Sequence, residues 1–310
     1  GNDLLIGGAG NDVLNGGNGI DLADYSGNTA VTVSLALVAA QVTGLGTDTL
    51  SNIENLLAGS GADSLTGSTL ANTLTAGDGN DTLSGGLGND LLAGGNGIDT
   101  AQYVTGAAVT VSLAIAGVQA TGEGDDTLSG IENLVAGAGN DRLTGDANAN
   151  SLNGGGGDDT LTGGGGNDVL DGGAGNDTAD YSGTASVLVN LNLTTAQVTG
   201  QGTDTLANID NVISGSGNDR LTGDGAANSL NAGGGNDLLI GGLGDDVLDG
   251  GSGIDTADYT GVTAVTVSLG SGIAQATGYG NDTLANIENL LTGSGNDSLT
   301  CHCRCRSAGS

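Results

Sequence analysis

Aspartates recur every nine residues along much of this chain, and each follows a short glycine-rich loop. The segment Gly85-Gly86-Leu87-Gly88-Asn89-Asp90 shows the pattern clearly. Glycine can adopt a positive φ, which lets a tight loop turn several backbone carbonyls toward one point. The aspartate adds a charged oxygen, and calcium takes about six to eight oxygen ligands from carboxylates and carbonyls. The loops therefore predict a series of calcium sites.

The candidate ligands fall into two sets. The first set closes the glycine-rich loops of the nine-residue register: Asp3, Asp12, Asp21, Asp63, Asp81, Asp90, Asp99, Asp141, Asp159, Asp168, Asp177, Asp219, Asp237, Asp246, Asp255 and Asp297. The second set closes similar loops that begin with Thr in place of the first Gly: Asp48, Asp126, Asp204 and Asp282.

One loop offers too few oxygens to surround an ion, so a second loop must complete each site. In a solenoid with two nonapeptides per turn, repeat n stacks on repeat n+2 at the same edge. The stacking predicts three facing pairs: Asp81 with Asp99, Asp159 with Asp177, and Asp237 with Asp255.

Some positions of the register depart from the pattern. Asn72, Asn150 and Asn228 follow loops that have lost glycines, so we expect these turns to bind no ion or to bind one weakly. Their side chains would form a ladder or serve a turn instead. No glycine-rich loop precedes the acids at the remaining positions, and we do not expect them to be ligands: Glu54, Glu132 and Glu288.

A second, longer period organises the elements that carry these loops. The motif Gly-Ile-Asp-Leu-Ala-Asp-Tyr at 19–25 recurs, with small changes, at 97–103, 175–181 and 253–259, which defines a 78-residue unit. Runs of nonapeptides lie near 1–21, 54–99, 132–177, 210–255 and 288–297. Allowing for the departures, we expect about three ions per unit from the oxygen-ligand count.

The interludes between the runs read as short strands. Val31-Thr32-Val33-Ser34-Leu35 alternates apolar and polar residues, which is typical of a strand, and no helical period occurs. Because no Pro, Ser or charge run marks a boundary, we predict one continuous all-β array over residues 1–300. Residues 301–310 hold all three Cys and the single His, and we expect a disordered or out-of-frame tail there.

Composition limits both the core and the partners. The chain has 64 Gly, no Pro, Met, Trp or Phe, and a net charge of −32. The sparse apolar supply suits a narrow solenoid core built layer by layer. So much like charge needs counter-cations, and it disfavours nucleic acid and anionic lipid as partners. No apolar run is long enough to span a membrane. The chain begins inside a motif, so we expect it to be a fragment.

Catalytic motifs are absent from the sequence. A Ser-His-Asp or Cys-His site needs a base, and the only His is His302. Neither HExxH nor GxSxG occurs. The pair Asp21 and Asp24 could suggest acid–base carboxylates, but a calcium ligand beside a turn-capping Asp is favoured. Cys301, His302 and Cys303 fit zinc poorly, because structural zinc sites have longer spacings.

Four tyrosines keep the phase of the longer period: Tyr25, Tyr103, Tyr181 and Tyr259. They could stack against sugars, but one ring in each long unit is sparse for that purpose. A structural role at the corner between a run and its interlude is the favoured interpretation.

The phased GGxGxD loops, together with Asn-Ile-Glu-Asn-Leu at 52–56, resemble the RTX, or haemolysin-type, calcium-binding repeats of secreted bacterial proteins. The resemblance covers residues 1–300. It implies a right-handed parallel β-roll, or β-helix solenoid, stabilised by multiple calcium ions. It also implies export by type I secretion and a secreted or cell-surface location.

The resulting interpretation is a non-enzymatic calcium-binding segment of a larger secreted or surface protein, which folds when calcium binds. Two alternatives stay open at this point. The chain could be the C-terminal secretion and folding module of a secreted protease, lipase or epimerase. It could also belong to an adhesin or extender array that gives length and stiffness. Neither a partner protein nor a carbohydrate is specified by the sequence.

Overall fold

A computed structural model describes residues 1–27, 29–183, 186–262, 264–269 and 271–300. Over these residues the chain is all-β and contains no helix. Accordingly, no helix in the described ranges is long and apolar enough to cross a membrane. The chain forms two compact units, Gly1–Gly157 and Asp158–Ser310.

The strands of the first unit are β1 (Leu4–Leu5), β2 (Val13–Asn15), β3 (Leu22–Asp24), β4 (Thr32–Ser34), β5 (Gln41–Val42), β6 (Thr47–Ser51), β7 (Asn55–Leu57), β8 (Ser64–Ser68), β9 (Thr73–Asp78), β10 (Thr82–Gly86), β11 (Leu91–Asn96), β12 (Thr100–Tyr103), β13 (Thr110–Ser112), β14 (Gln119–Ala120), β15 (Asp125–Ser129), β16 (Asn133–Ala136), β17 (Arg142–Thr144) and β18 (Ser151–Asn153).

The strands of the second unit are β19 (Thr160–Thr162), β20 (Val169–Asp171), β21 (Thr178–Asp180), β22 (Leu188–Asn190), β23 (Gln197–Val198), β24 (Thr203–Ala207), β25 (Asn211–Ile213), β26 (Arg220–Thr222), β27 (Ser229–Asn231), β28 (Gly234–Gly235), β29 (Leu238–Ile240), β30 (Val247–Asp249), β31 (Ser252–Gly253), β32 (Thr256–Tyr259), β33 (Thr266–Ser268), β34 (Gln275–Ala276), β35 (Asn281–Ala285), β36 (Asn289–Thr292) and β37 (Ser298–Thr300).

Parallel pairing in the first unit follows a two-repeat turn. β8 pairs with β10 so that Leu65 lies beside Leu83, and β9 pairs with β11 so that Leu74 lies beside Leu92. In both pairs the partner lies two nonapeptides further along the chain. Alternate nonapeptides therefore enter opposite sheets, and the expected parallel β-roll is confirmed.

The second unit repeats this arrangement on its own strands. β26 pairs with β29 through Leu221 and Leu239, and β27 pairs with β30 through Leu230 and Leu248. The same step of two nonapeptides again separates the partners, so the glycine-rich turns stack along two edges.

Most of the three-residue strands bury one central side chain. Leu83 is completely buried, whereas Thr82 and Ser84 on either side are partly exposed. Burying one leucine is worth about 1.5–3 kcal/mol. The core is therefore a narrow ladder of single leucines, as the composition predicted.

The interludes continue the stacking within each unit. β4 carries the predicted alternating strand and pairs in parallel with β8, and Val31 and Val33 are buried. The chain then forms an antiparallel hairpin between β5 and β6, and β6 pairs in parallel with β2. Continuity of the array over all of residues 1–300 stays a prediction.

Candidate metal sites in the glycine-rich turns

The turn from Gly85 to Asp90 shows why the loop needs its glycines. Gly86 has a φ of 87° and Gly88 a φ of 126°, which side-chain-bearing residues rarely adopt. Gly85 has an ordinary φ, but a Cβ there would collide with Oδ2 of Asp90. The carboxylate therefore folds back over the first glycine, and the missing side chain of that glycine leaves the space in front of Oδ2 open.

The structure brings the predicted aspartate pairs together. The Asp81 N–H donates to Oδ1 of Asp99 at 2.8 Å, so these two residues lie one turn apart on the same edge. In the second unit, Asp159 donates to Asp177 at 2.8 Å and Asp237 donates to Asp255 at 2.9 Å.

Most other candidates join the same ladders or border an interlude. Asp3 donates to Asp21, Asp63 to Asp81, Asp90 to Asp126, Asp168 to Asp204, Asp219 to Asp237, and Asp246 to Asp282. Where an interlude strand begins, a valine N–H donates to the aspartate: Val31 to Asp63, Val109 to Asp141, Val187 to Asp219 and Val265 to Asp297.

The second oxygen of many carboxylates has no donor. Oδ1 accepts a backbone N–H while Oδ2 is buried without a hydrogen-bond partner, within the part of the chain that the structure describes, in Asp21, Asp81, Asp90, Asp99, Asp177, Asp219, Asp237, Asp246 and Asp255. Oδ2 of Asp12 is buried in the same way. A buried charged oxygen without a partner is costly. A bound cation would remove this cost, so the residues present fit a divalent metal.

Electrostatics agree with the need for a cation. Burial raises the pKa of Asp90 to about 6, backbone hydrogen bonding from Asn72 opposes the rise, and the charge of Asp126 adds to it. Burial likewise raises the pKa of Asp237 and Asp246 to about 6. In the metal-free fold these carboxylates hold protons more tightly than usual, because burial disfavours their charged form and neighbouring acids repel it.

Side chains alone do not complete a coordination shell. Over the described ranges, no three carboxylate, imidazole or thiolate groups converge on one point. Backbone carbonyls would supply the missing oxygens, because the turns stack closely. A Cβ on Gly95 would collide with the Gly77 carbonyl oxygen of the preceding turn, and one on Gly97 with that of Gly79. Calcium accepts such mixed carboxylate and carbonyl shells.

The turns with Asn in the register are closed by their own amides. Asn72 accepts the Ser68 N–H at 2.6 Å through its side-chain oxygen, and its Nδ2 donates to the Glu54 carbonyl at 2.7 Å. Asn150 and Asn228 make the equivalent bonds. An N–H group occupies the place where a carboxylate oxygen would face an ion. This supports the prediction that these turns bind no ion, or bind one weakly.

The aspartates of the Thr-containing loops are satisfied by hydroxyls. Oδ1 of Asp204 accepts the Asp168 N–H at 3.0 Å, and Oδ2 accepts hydroxyls from Thr199 at 2.6 Å and Tyr181 at 3.1 Å. Asp48 and Asp282 accept the equivalent three bonds, from the N–H of the aspartate in the stacked turn, from the loop Thr and from the phased Tyr of their own units. Asp126 accepts the hydroxyl of Thr121. These four carboxylates are the candidates least suited to hold calcium.

Sequence reasoning missed this hydroxyl cluster. The signal was available, because a loop with Thr in the first Gly position recurs in every 78-residue unit, in phase with the tyrosines. Tyr25, Tyr103, Tyr181 and Tyr259 are buried, and burial together with the facing Asp raises the pKa of each phenol. The structural interpretation of these tyrosines is thereby confirmed.

Two further predictions concern Asp24 and the cysteine-rich tail. Asp24 accepts the Ser26 N–H at 2.7 Å, so it caps a turn as predicted. The possible zinc ligands Cys301, His302 and Cys303 lie outside the described residues, as does the whole of the expected tail.

Comparison with known proteins agrees with the geometry. A family model described as the RTX calcium-binding nonapeptide repeat, four copies, matches residues 1–23, 66–101, 129–161, 145–179, 198–239 and 222–257. No curated protein matches the chain. The matched segments together cover more than half of the 310 residues, and they contain most of the stacked aspartate turns. The chain therefore belongs to the RTX calcium-binding nonapeptide repeat family, a non-catalytic repeat that binds multiple calcium ions.

Proposed function

We propose that this chain is a calcium-dependent folding module of a larger secreted or cell-surface bacterial protein. It stays unfolded where calcium is scarce and folds where calcium is abundant. The observation that carries the proposal is the series of buried, unpartnered Oδ2 atoms in a chain of net charge −32. Removing so many like charges from water without compensation opposes folding.

The chain's own residues perform each part of the proposed process. The aspartates of the stacked turns keep a charged Oδ2 in a buried space without a donor among the described residues, and Oδ1 accepts a backbone N–H of the neighbouring turn. The glycines leave that space free of carbon atoms. Bound calcium supplies positive charge and accepts several oxygens at once. Since the unfolded chain has no preformed site, the binding free energy becomes folding free energy.

Circular dichroism of the chain tests the proposal. In EDTA we expect an unfolded spectrum, and adding millimolar calcium should produce a β spectrum. Magnesium is the control, because it demands shorter bonds and a near-octahedral shell and gives up its water reluctantly. A β spectrum that is the same in EDTA and in calcium would overturn the proposal.

Delayed folding suits export of an unfolded chain, and repeats of this family are typical of secreted or surface bacterial proteins. We therefore propose type I secretion machinery as a partner and an extracellular location. An extender array is a second candidate, favoured by the near-identical hydroxyl–aspartate clusters in successive 78-residue units. Many further units in the full reading frame would support the extender, whereas a catalytic domain would support a module of a secreted enzyme.

A further inference from the structure

The last aspartate of each regular run has no glycine-rich loop in the turn that follows it on the same edge. Asp21, Asp99, Asp177 and Asp255 occupy this position. The next turn on the same edge is a short segment that we call the junction turn. Its four copies are residues 51–55, 129–133, 207–211 and 285–289, which read Ser-Asn-Ile-Glu-Asn or close variants.

The junction turn is clamped to the aspartate in both directions. The Asp99 N–H donates to Oε2 of Glu132 at 2.8 Å, and the Glu132 and Asn133 N–H groups donate to the Asp99 carbonyl at 3.0 and 2.9 Å. The other three copies repeat this pattern, with Asp210 in place of Glu in the third. The acid thus accepts the N–H bond that the next aspartate accepts elsewhere in the ladder.

The junction turn also aims a carbonyl at the same place. Asn52, Asn208 and Asn286 are the only non-glycine residues with positive φ in the described ranges, at 51–53°, and Gly130 holds the fourth position at 57°. A Cβ on Gly16 would lie within 3.0 Å of both the Asn52 carbonyl oxygen and Oδ2 of Asp21. Gly94, Gly172 and Gly250 show the same two neighbours in their own turns.

This backbone conformation is uncommon for an L-residue and is held in place. The Asn208 side chain donates to Oδ1 of Asp171 at 2.7 Å, and that of Asn286 donates to Asp249 at 2.7 Å. Asn52 donates to Asn15 at 2.9 Å. The structure therefore fixes the direction of the carbonyl rather than leaving it to a flexible turn.

The facing carboxylate oxygen is buried and lacks a partner. The four aspartates are at most 1% exposed, and within the described residues Oδ2 of each has no hydrogen-bond donor. Oδ2 and the junction carbonyl thus border one space without a positive charge, and the junction acid is hydrogen-bonded to the N–H of the same aspartate.

We propose that each junction turn completes a calcium site in place of a second glycine-rich loop. The ligands in each copy are Oδ2 of the last aspartate, the carbonyl oxygen of the positive-φ residue, and the second carboxylate oxygen of the junction acid. The junction acids are Glu54, Glu132, Asp210 and Glu288. The proposal rests on the calcium function proposed above and adds four sites that the glycine pattern does not reveal.

The junction acid takes the place of a ladder aspartate. The junction turn follows its aspartate by 33 residues, yet Oε2 of Glu54 reaches the Asp21 N–H at 2.8 Å. Oδ1 of Asp99, only two nonapeptides beyond Asp81, reaches the Asp81 N–H at the same distance of 2.8 Å. The junction carboxylate therefore accepts the same kind of backbone N–H bond as a ladder aspartate, whether its side chain is Glu or, as in Asp210, the shorter Asp.

The test compares two fourfold variants of the full chain. The first is E54Q/E132Q/D210N/E288Q, in which an amide oxygen can still accept the backbone N–H and preserve the clamp. The control is D78N/D125N/D158N/D245N, which removes the same number of charges from exposed positions where other repeats already carry Asn. Equilibrium dialysis with elemental analysis counts the calcium ions bound per chain, and circular dichroism verifies folding in saturating calcium.

We expect the junction variant to lose one calcium ion per altered turn, and the control to keep the wild-type number. Equal calcium counts in the two variants would overturn the inference while leaving the proposed function intact. A wild-type chain that binds no calcium would instead overturn the proposed function itself. Should the fourfold variant fail to fold, E132Q against D125N makes the same comparison at one turn, where equal counts again overturn the inference.

Discussion

The two oxygens of a carboxylate in the stacked turns have different roles. Oδ1 of Asp99 accepts the Asp81 N–H and builds the ladder, whereas Oδ2 faces the space that the glycines leave free. Substituting Asn for Asp keeps an oxygen that can accept the N–H bond but removes the negative charge that would attract an ion. The effects of such a change on the ladder and on calcium binding are therefore separable.

The first prediction concerns Asp81→Asn. We expect calcium to bind the affected site at least about tenfold more weakly, since changes to groups that only support metal ligands already cost about that much. Calcium titration followed by circular dichroism measures the shift. Asp78→Asn is the control, because Asp78 is exposed at the end of β9, just before Asp81. Equal shifts for the two variants would contradict a ligand role for Asp81.

The second prediction concerns pH. Burial raises the pKa of Asp90, Asp237 and Asp246 to about 6 in the metal-free fold, whereas an unfolded Asp titrates near 3.9. Protonation therefore stabilises the metal-free fold, fully below about pH 4, and this contribution disappears as the pH rises through about 6.

In EDTA, the β signal in circular dichroism should therefore increase as the pH falls from 7 to 4. In calcium the dependence should reverse, because protons compete with the ion for the same oxygens. A parallel titration in the two buffers measures both trends. The same direction of change in EDTA and in calcium would contradict the assignment.

The third prediction concerns the hydroxyl clusters. Tyr181→Phe removes one hydroxyl from the buried Asp204 carboxylate and should lower the free energy of unfolding by about 1–3 kcal/mol in calcium. The number of bound calcium ions should stay the same. Thermal or urea unfolding and calcium counting measure the two effects. Tyr279→Phe, which lies outside the 78-residue phase, is the control, and a lost ion in the Tyr181 variant would contradict the hydroxyl role.

At the scale of the strands, stability comes from leucines that stack one above another. Leu83 is completely buried between Leu65 on one side and Ala101 on the other. Each coil therefore depends on its neighbours to cover its single apolar side chain. This dependence explains why strands of only two to six residues can persist within each unit.

The fourth prediction concerns this ladder. Leu83→Ala should destabilise the calcium-loaded chain by about 2–5 kcal/mol, because it leaves a cavity in a core only one side chain wide. Leu87→Ala is the matched control, since Leu87 is 48% exposed in the adjacent turn. Urea unfolding in saturating calcium measures the difference. Comparable losses in the two variants would show that the inward ladder is not what holds the coils together.

At the scale of the whole molecule, a net charge of −32 opposes any compact state. Salt and calcium should relieve this repulsion differently. About 1 M NaCl shortens the screening length to about 3 Å, which weakens repulsion between exposed charges. Salt does not provide a ligand for a buried Oδ2.

The fifth prediction follows from that difference. In EDTA, adding NaCl should reduce the hydrodynamic radius without producing a β spectrum, whereas calcium should produce both changes. Dynamic light scattering and circular dichroism on the same samples measure the two quantities. A β spectrum induced by NaCl alone would mean that long-range repulsion, rather than unpartnered oxygens, controls folding.

Much of this fold follows from the sequence through its two periods. Glycine at fixed positions implies turns, and one leucine per nonapeptide implies short strands that bury a single side chain. The pairing of Asp81 with Asp99 then follows from two nonapeptides per turn, and the structure places them so. These inferences succeed because the same turn residues and the same buried leucine return at the same position of every repeat.

The ligand set was only partly predictable. Asp204 and Asp237 end similar loops, yet hydroxyls from Thr199 and Tyr181 saturate the first, while Oδ2 of the second has no donor among the described residues. Glu132 has no glycine-rich loop before it, yet it arrives beside Asp99. Both outcomes depend on contacts between side chains that are far apart along the chain.

The sequence by itself therefore determined the all-β class, the nine-residue turns, the calcium chemistry and the positions where Asn closes a turn. Those features depend on local backbone freedom and on residue type, which a periodic pattern exposes. Only the tertiary structure decided which carboxylate oxygens face hydroxyls, which face backbone N–H groups and which face no donor. The reason is that each interlude lengthens the step between stacked turns beyond two nonapeptides, as between Asp99 and Glu132 or between Asp90 and Asp126. The partner across such a turn can be known only after the coils are stacked.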